Sequence, residues 1–321
     1  MTEQVISLPA ADGVVLKALA WPIKDAKAHI HIAHGLSEHA ARYARFAAHL
    51  NARGYSVTAS DHRGHGLTAH DNSQPFGHAG DADSWRRLHS DLDAWWSYCH
   101  HAFCARSDGH DHRPLVVLGH SLGSFMTLAA ATTTQVPVAA IILVGCGVRA
   151  RLISWLQARL IRVLPHVPGL SYREQGIERS ALVQWLAFGA FNRRFRPTRT
   201  AFDWLSRDDR EVDTYINDPW CGQPGSLQFW ADFLDGAAQQ QSAKSLRKLQ
   251  AGVPMLLLSG SRDPVGDDGE GAPALAASLR RNGVSDVQVR LYTGARHELL
   301  NETNRADVYA DIDAWLEEKL R

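Results

Sequence analysis

Three short stretches of this 321-residue chain carry side chains that together can cleave an acyl bond. The first is Gly119-His120-Ser121-Leu122-Gly123, a G-x-S-x-G pattern. It lies between an apolar run of strand length, Leu115 to Leu118, and an Ala-rich run of helix length from Phe125. A serine at such a corner projects its Oγ beyond the end of the sheet. Gly119 and Gly123 are needed because side chains there would collide with the adjoining strand and helix. A serine hydroxyl is a weak nucleophile until a base takes its proton and a third group orients that base. The other two stretches supply both groups. Asp263 lies in Gly260-Ser261-Arg262-Asp263-Pro264, after the apolar run Pro254 to Leu258. His297 lies in Gly294-Ala295-Arg296-His297-Glu298, after Val287 to Tyr292. Serine, acid and histidine thus follow in chain order, each after an expected strand. Asp267 and Asp268 stand close enough to compete for the orienting role, and Asp263 before Pro264 also suits a plain turn.

An acyl-transfer site of this kind needs two preorganised donors for the tetrahedral oxyanion. The Leu122 amide, at the start of a helix whose dipole favours negative charge, is one candidate. The loop after the third expected strand, His34-Gly35-Leu36, supplies the other, with Gly35 allowing close approach and the Leu36 amide donating. Glu38, His39 and His120 flank the site and are expected to shape it, while Asp61 and Arg63 are expected to pin neighbouring loops.

The elements that must hold these residues are legible as alternating runs. Val5 to Leu8 and Val14 to Trp21 read as strands around the turn Ala11-Asp12-Gly13, followed by a strand at His29 to Ala33. A helix is expected from about Ala40 to Arg53, closed by Gly54, and a strand at Ser56 to Ala59. A Trp- and Leu-rich helix from Asp83 to Phe103 precedes the serine strand, and Ala139 to Val144 reads as the next strand. After the runs Pro254 to Leu258 and Val287 to Tyr292, a helix at Ala306 to Leu320 closes the chain. This pattern predicts an α/β fold with a mostly parallel, eight-stranded sheet and helices on both faces. Residues 1–147 and 251–321 form the expected sheet domain. Residues 148–250 interrupt it without a strand pattern and are aromatic-rich, with Trp155, Trp185, Trp204, Trp220 and Trp230. They read as an inserted helical lid.

Composition narrows the function further. Lys plus Arg and Asp plus Glu number 34 each, so charge offers no attraction for nucleic acid. The N-terminus lacks a basic-then-apolar leader pattern, and no apolar run reaches membrane-spanning length. Cys99, Cys104, Cys146 and Cys221 form no disulfide framework, which points to free thiols and a cytoplasmic setting. Cys99, His100, His101, Cys104, His110 and His112 cluster, yet their spacing fits no structural zinc pattern. No metal and no cofactor are assigned.

Five motifs, HGLSEHAARY from His34, DHRGHG from Asp61, GHSLGS, GSRDPVG and GARHELLNE, together resemble the α/β-hydrolase fold. They are similar to the branch holding monoacylglycerol lipases, bacterial lysophospholipase-like enzymes and the serine aminopeptidase group. The resemblance spans the sheet domain from about residue 10 onward and reaches the insertion only through YINDPWCG from Tyr215. It implies Ser121, Asp263 and His297 as a catalytic triad and the Leu36 and Leu122 amides as the oxyanion hole. The implied activity is hydrolysis of a small-molecule acyl ester, such as a monoacylglycerol or lysophospholipid, through an acyl-enzyme. A peptidase removing an N-terminal residue is the second reading, and it would require lid carboxylates such as Glu174, Glu178, Asp208, Asp209, Glu211 or Asp213 to bind an ammonium group. A non-catalytic binding module is the third, and it has no need of all three triad groups. The insertion opens with an amphipathic stretch, Arg149 to Leu164, expected to pack its apolar side on the sheet domain and able to meet lipid aggregates if it opens.

Overall fold

Apolar runs too short for helices, bounded by turn residues, become the central strands. In the computed structural model, which describes residues 3–105, 112–148 and 151–321, these are β1 (Gln4–Pro9), β2 (Val15–Trp21), β3 (Ala28–Ala33), β4 (Tyr55–Asp61), β5 (Leu115–His120) and β6 (Ala140–Val144). A hairpin of β7 (Tyr172–Glu174) and β8 (Ile177–Arg179) follows, then β9 (Met255–Gly260) and β10 (Val287–Tyr292). Eight strands form one sheet in the order β1-β2-β4-β3-β5-β6-β9-β10. Only β2 runs against its neighbours β1 and β4. The expected eight-stranded, mostly parallel sheet is therefore observed.

Both faces of the sheet are covered, which is why its central strands read as unbroken apolar runs. Leu115 and Val117 of β5 pack with the helices Ser84–Cys99 and Leu122–Ala131, through Leu88, Leu92, Trp96 and Phe125. Val116 and Leu118 pack on the other face with Ala44–Ala52 and Arg305–Lys319, through Phe46, Leu50, Val308 and Ile312. β5 lies between β3 and β6 in a register that pairs Gly119 with both Ala33 and Leu143. The loops leaving these three strands, at His34, Ser121 and Gly145, consequently emerge side by side.

Several local expectations are corrected. The helix expected from Ala40 begins as a 3-10 turn, Ala40–Tyr43, before the α-helix Ala44–Ala52. The Trp-rich helix is regular only to Cys99 and widens to a π-turn over His100–Cys104. A short helix, Gly66–Asp71, follows the DHRGHG loop and was not anticipated. The insertion holds the β7–β8 hairpin, whose strands of three residues are too short for an alternating pattern. Gln175 and Gly176 turn it with positive φ at both positions, the conformation of a tight two-residue hairpin.

The amphipathic stretch also departs from expectation. Arg149 and Ala150 lie outside the described residues. Its helix, Arg151–Val163, buries only Ser154, Ala158 and Ile161, leaving Leu152, Ile153, Trp155, Leu156, Leu160 and Val163 exposed. Small residues at the contact let this helix lie close to its neighbour Leu227–Gln240, so little of its large apolar surface is covered. Of the Cys-His cluster, His110 lies outside the described residues. Cys99 and Cys104 are core residues whose thiols burial pushes up to about 12. His100 instead stacks on His112 at 4.4 Å between ring centroids.

Candidate active site

The turn after β5 is strained at one residue. Ser121 has φ +50° and ψ −117°, a conformation that costs a non-glycine residue about 1–3 kcal/mol and persists only when its surroundings enforce it. Here its N–H bonds the Val144 carbonyl at 2.9 Å, and its own carbonyl accepts from Ser124 N–H and Oγ–H at 2.9 and 2.6 Å. A Cβ on Gly119 would lie 2.3 Å from the Gly123 carbonyl oxygen, and one on Gly123 would lie 2.1 Å from that of Ala33. The two glycines thus let strand, elbow and helix approach.

Asp263 follows β9 and is fully buried. Its Oδ1 accepts from the Val265 N–H and faces His297 Nδ1, both at 2.9 Å. His297 follows β10, is 2% exposed, and sits where Gly145 leaves room, since a Cβ there would approach the ring to 2.9 Å. The alternatives fall away on geometry. Asp267 and Asp268 are exposed, and Asp268 pairs with Arg194. Trp204, from the insertion, lies 5.1 Å from the His297 ring, and Glu298 N–H bonds the Leu205 carbonyl at 2.7 Å, so the inserted segment braces the histidine loop.

The expected donor loop is close by. A Cβ on Gly35 would stand 3.3 Å from Ser121 Cβ and 2.7 Å from Glu38 Oε1. Neither the Leu36 nor the Leu122 N–H has an acceptor among the described residues, and both residues line the same cavity as Ser121 and His297. Two free N–H groups beside a serine and an imidazole are a ready site for a developing oxyanion.

Glu38, expected to flank the site, is the hub of a buried network. It accepts from Gly35 N–H at 2.6 Å, Tyr43 O–H at 2.9 Å and Arg42 Nη1 at 2.7 Å, and it faces His120 Nδ1 at 2.9 Å. Burial alone would raise the Glu38 carboxyl, but Arg42 and His120 hold it well below the usual range. His120 responds in kind: burial disfavours its charge, yet Glu38 raises the imidazole above its ordinary value. Arg42 also forks onto both oxygens of Glu298 at 2.7 Å. Arg42, Glu298 and Trp204 were given no role at the site from sequence. The i,i+4 spacing of Glu38 and Arg42 was the available signal for the first of them. His39 reaches the insertion, its Nε2 2.8 Å from Asp218 Oδ2, with Cys221 nearby.

Asp61 and Arg63 hold loops, as expected. Asp61 accepts from the Ala40 and Leu67 N–H groups at 2.7 and 2.8 Å. Arg63 bonds Asp91 and Asp12.

Above Ser121 opens a cavity of about 670 Å³, within the range of about 300–1,000 Å³ usual for small-molecule sites. Ser121, His297, His120, Glu38 and Glu298 are among its polar lining; the rest of its wall is mostly apolar, including Phe125 from the core and Leu160, Leu186, Phe188 and Trp230 from the insertion.

A parallel sheet carrying a strained serine elbow after β5, a buried acid after β9 and its histidine after β10 defines an α/β hydrolase. Residues 24–304 match the sequence model of the family described as serine aminopeptidase, S33, and the chain belongs to that family. It is similar to a monoacylglycerol lipase of Mycolicibacterium smegmatis, 25% identical over 98% of this chain and 97% of that one. Among solved structures it resembles a thermostable carboxyl esterase from Bacillus coagulans in complex with glycerol, with a TM-score of 0.86, 25% identity and all of both chains covered. It likewise resembles a lipase in an open form, with a TM-score of 0.82, 29% identity and complete coverage of both chains.

Proposed function

We propose that this protein is a serine-dependent hydrolase of carboxylic esters, acting on monoacylglycerols, lysophospholipids or similar acyl esters. The carrying observation is the buried His297–Asp263 pair at 2.9 Å, beneath an apolar cavity that also holds Ser121 on its strained turn. The chemistry follows. Ser121 Oγ attacks the ester carbonyl carbon while His297 Nε2 takes the hydroxyl proton. The carbonyl oxygen, now negative, is held by the Leu36 and Leu122 N–H groups. Collapse breaks the carbon–oxygen bond to the alcohol, which leaves with the proton from His297. Water then repeats the sequence on the acyl-enzyme and frees the acid. Asp263 keeps Nδ1–H pointed at itself, so Nε2 presents its lone pair to serine, and stabilises the imidazolium that forms. No cofactor enters these steps.

The apolar walls suit an acyl chain better than an ammonium group. Glu174, Glu178, Asp208, Asp209, Glu211 and Asp213, the carboxylates an aminopeptidase would use, pair with Arg179, Arg173, Arg305, Arg199, Arg45 and Arg199 respectively. None of the six lines the cavity. Glu38 and Glu298 do line it, but both are engaged by Arg42.

In this reading residues 148–250 act as a lid. The exposed side chains of Leu152, Ile153, Trp155 and Leu156 support transient contact with lipid aggregates. Among the described residues no helix is long and apolar enough to cross a membrane. The four cysteines, free and buried, support a reducing, cytoplasmic setting. Turnover of acyl esters of increasing chain length, beside aminoacyl amides, tests the assignment. Ester cleavage lost in Ser121→Ala supports it; cleavage of amides alone would replace it with the peptidase reading.

A further inference from the structure

The oxyanion-hole assignment requires the Leu36 N–H to point at the cavity, and one side chain controls that direction. His34 Nδ1 lies 2.7 Å from the Gly35 carbonyl oxygen. That carbonyl and the Leu36 N–H belong to one planar trans peptide unit and point in opposite directions. Holding the oxygen therefore aims the N–H. The bond also settles the state of the ring. A carbonyl only accepts, so Nδ1 carries hydrogen; His34 Nε2 lies 3.1 Å from the His62 N–H, which only donates, so Nε2 carries a lone pair. His62 returns the contact, its own Nε2 donating to the His34 carbonyl at 2.9 Å. The two rings lie 3.9 Å apart, and both are buried. Burial lowers the pKa of both, in the direction of the neutral form that this geometry demands. Next in the chain, the Gly35 N–H is taken by Glu38 at 2.6 Å. The Leu36 N–H has no acceptor among the described residues, and Leu36 lines the cavity with Ser121.

Resting on the hydrolase reading above, we infer that His34 is a positioning residue for catalysis: its neutral, Nδ1–H tautomer locks the Gly35–Leu36 peptide plane so that the Leu36 N–H meets the oxyanion, and His62 fixes that tautomer. His34 touches no substrate and acts only through the backbone.

The test uses His34→Ala and His34→Asn beside the wild type, with kcat, KM and thermal midpoint measured on one acyl ester. An Asn side chain places an N–H close to where Nδ1–H stands but offers nothing to the His62 N–H. Both variants lose that second bond and should lose similar thermal stability. A misaligned oxyanion donor lowers kcat by about 10²–10³-fold, so His34→Ala should show such a loss with KM within a few-fold. His34→Asn should recover kcat to within about tenfold of wild type. Equal kcat in both folded variants, or an unchanged kcat in His34→Ala, would overturn the inference while leaving the hydrolase reading intact. A wild-type chain inert to every ester would overturn both. Imidazole 15N shifts of the wild type test the same point without a variant: a protonated Nδ1 and an unprotonated Nε2 at His34 are expected, and the opposite tautomer refutes it.

Discussion

Arg42 lies between two buried carboxylates, 2.7 Å from Glu38 Oε2 and 2.7 Å from each oxygen of Glu298. Glu38 holds the loop bearing Leu36, and Glu298 adjoins His297, so one guanidinium ties the Leu36 loop to the His297 loop. Removing it leaves two buried negative charges facing each other, a change that costs about 3–5 kcal/mol when one partner of a buried pair is lost. Arg42→Met should lower the denaturation midpoint accordingly and reduce kcat, as read by urea titration and ester turnover. A stable, fully active variant would show that the loops are held by other contacts.

The acid assignment is sharply testable. Asp263→Asn preserves shape but favours the wrong imidazole tautomer, a change associated with a kcat loss of about 10⁴-fold. Asp267→Asn, on an exposed carboxylate, should stay within a few-fold of wild type. The reverse ranking would reassign the orienting acid.

Ser121→Ala should abolish labelling by a fluorophosphonate probe and lower turnover by at least about 10⁴-fold, since nucleophile, base and acid act as a unit. Gly123→Ala tests the elbow itself. A methyl 2.1 Å from the Ala33 carbonyl oxygen cannot be relieved by a side-chain rotation, so this variant should fold poorly or lose activity through a displaced Ser121. Normal Tm and turnover together would contradict the packing argument.

Leu152 and Ile153 are exposed and do not line the cavity. The double change Leu152→Ser and Ile153→Ser should weaken sedimentation with phospholipid vesicles while leaving hydrolysis of a short, water-soluble ester unchanged. Undiminished vesicle binding would remove this helix from the lipid-contact surface.

Acid stability follows from the histidines beside β3 and β4. Burial lowers the pKa of His29 and His62 to about 3 and that of His65 to about 4, with His31 and His34 also well down. In the unfolded chain each titrates near the usual value of about 6.5. The unfolded state therefore binds more protons below that pH, and stability present above it is lost as pH falls. Asp61, raised by burial to about 6, and His120, raised by Glu38, work in the opposite direction but are outnumbered by these five lowered histidines. The thermal midpoint should hold steady above pH 6.5 and fall progressively toward pH 4; a flat profile over that interval would falsify the account.

Much of this was written in the chain itself. Residues close in sequence and confined by local sterics, such as Gly119, Ser121 and Gly123, could be read directly because a strand, a tight corner and a helix leave few alternatives. Asp263 and His297 could be read because each ends an apolar run, and runs buried on both sides must be strands. Sequence alone could not choose Asp263 over Asp267 on geometry, since that choice depends on which carboxylate the fold buries against an imidazole 34 residues away. Nor could it show that Arg42 joins two loops, that Trp204 braces His297, or that His34 and His62 hold one another. Those relationships pair residues far apart in the chain, and only the stacking of β4, β3, β5 and β6 brings their loops within hydrogen-bonding reach. The insertion shows the same division: its apolar periodicity was visible, but which side chains face solvent was decided by the small residues Ser154 and Ala158 at the helix contact.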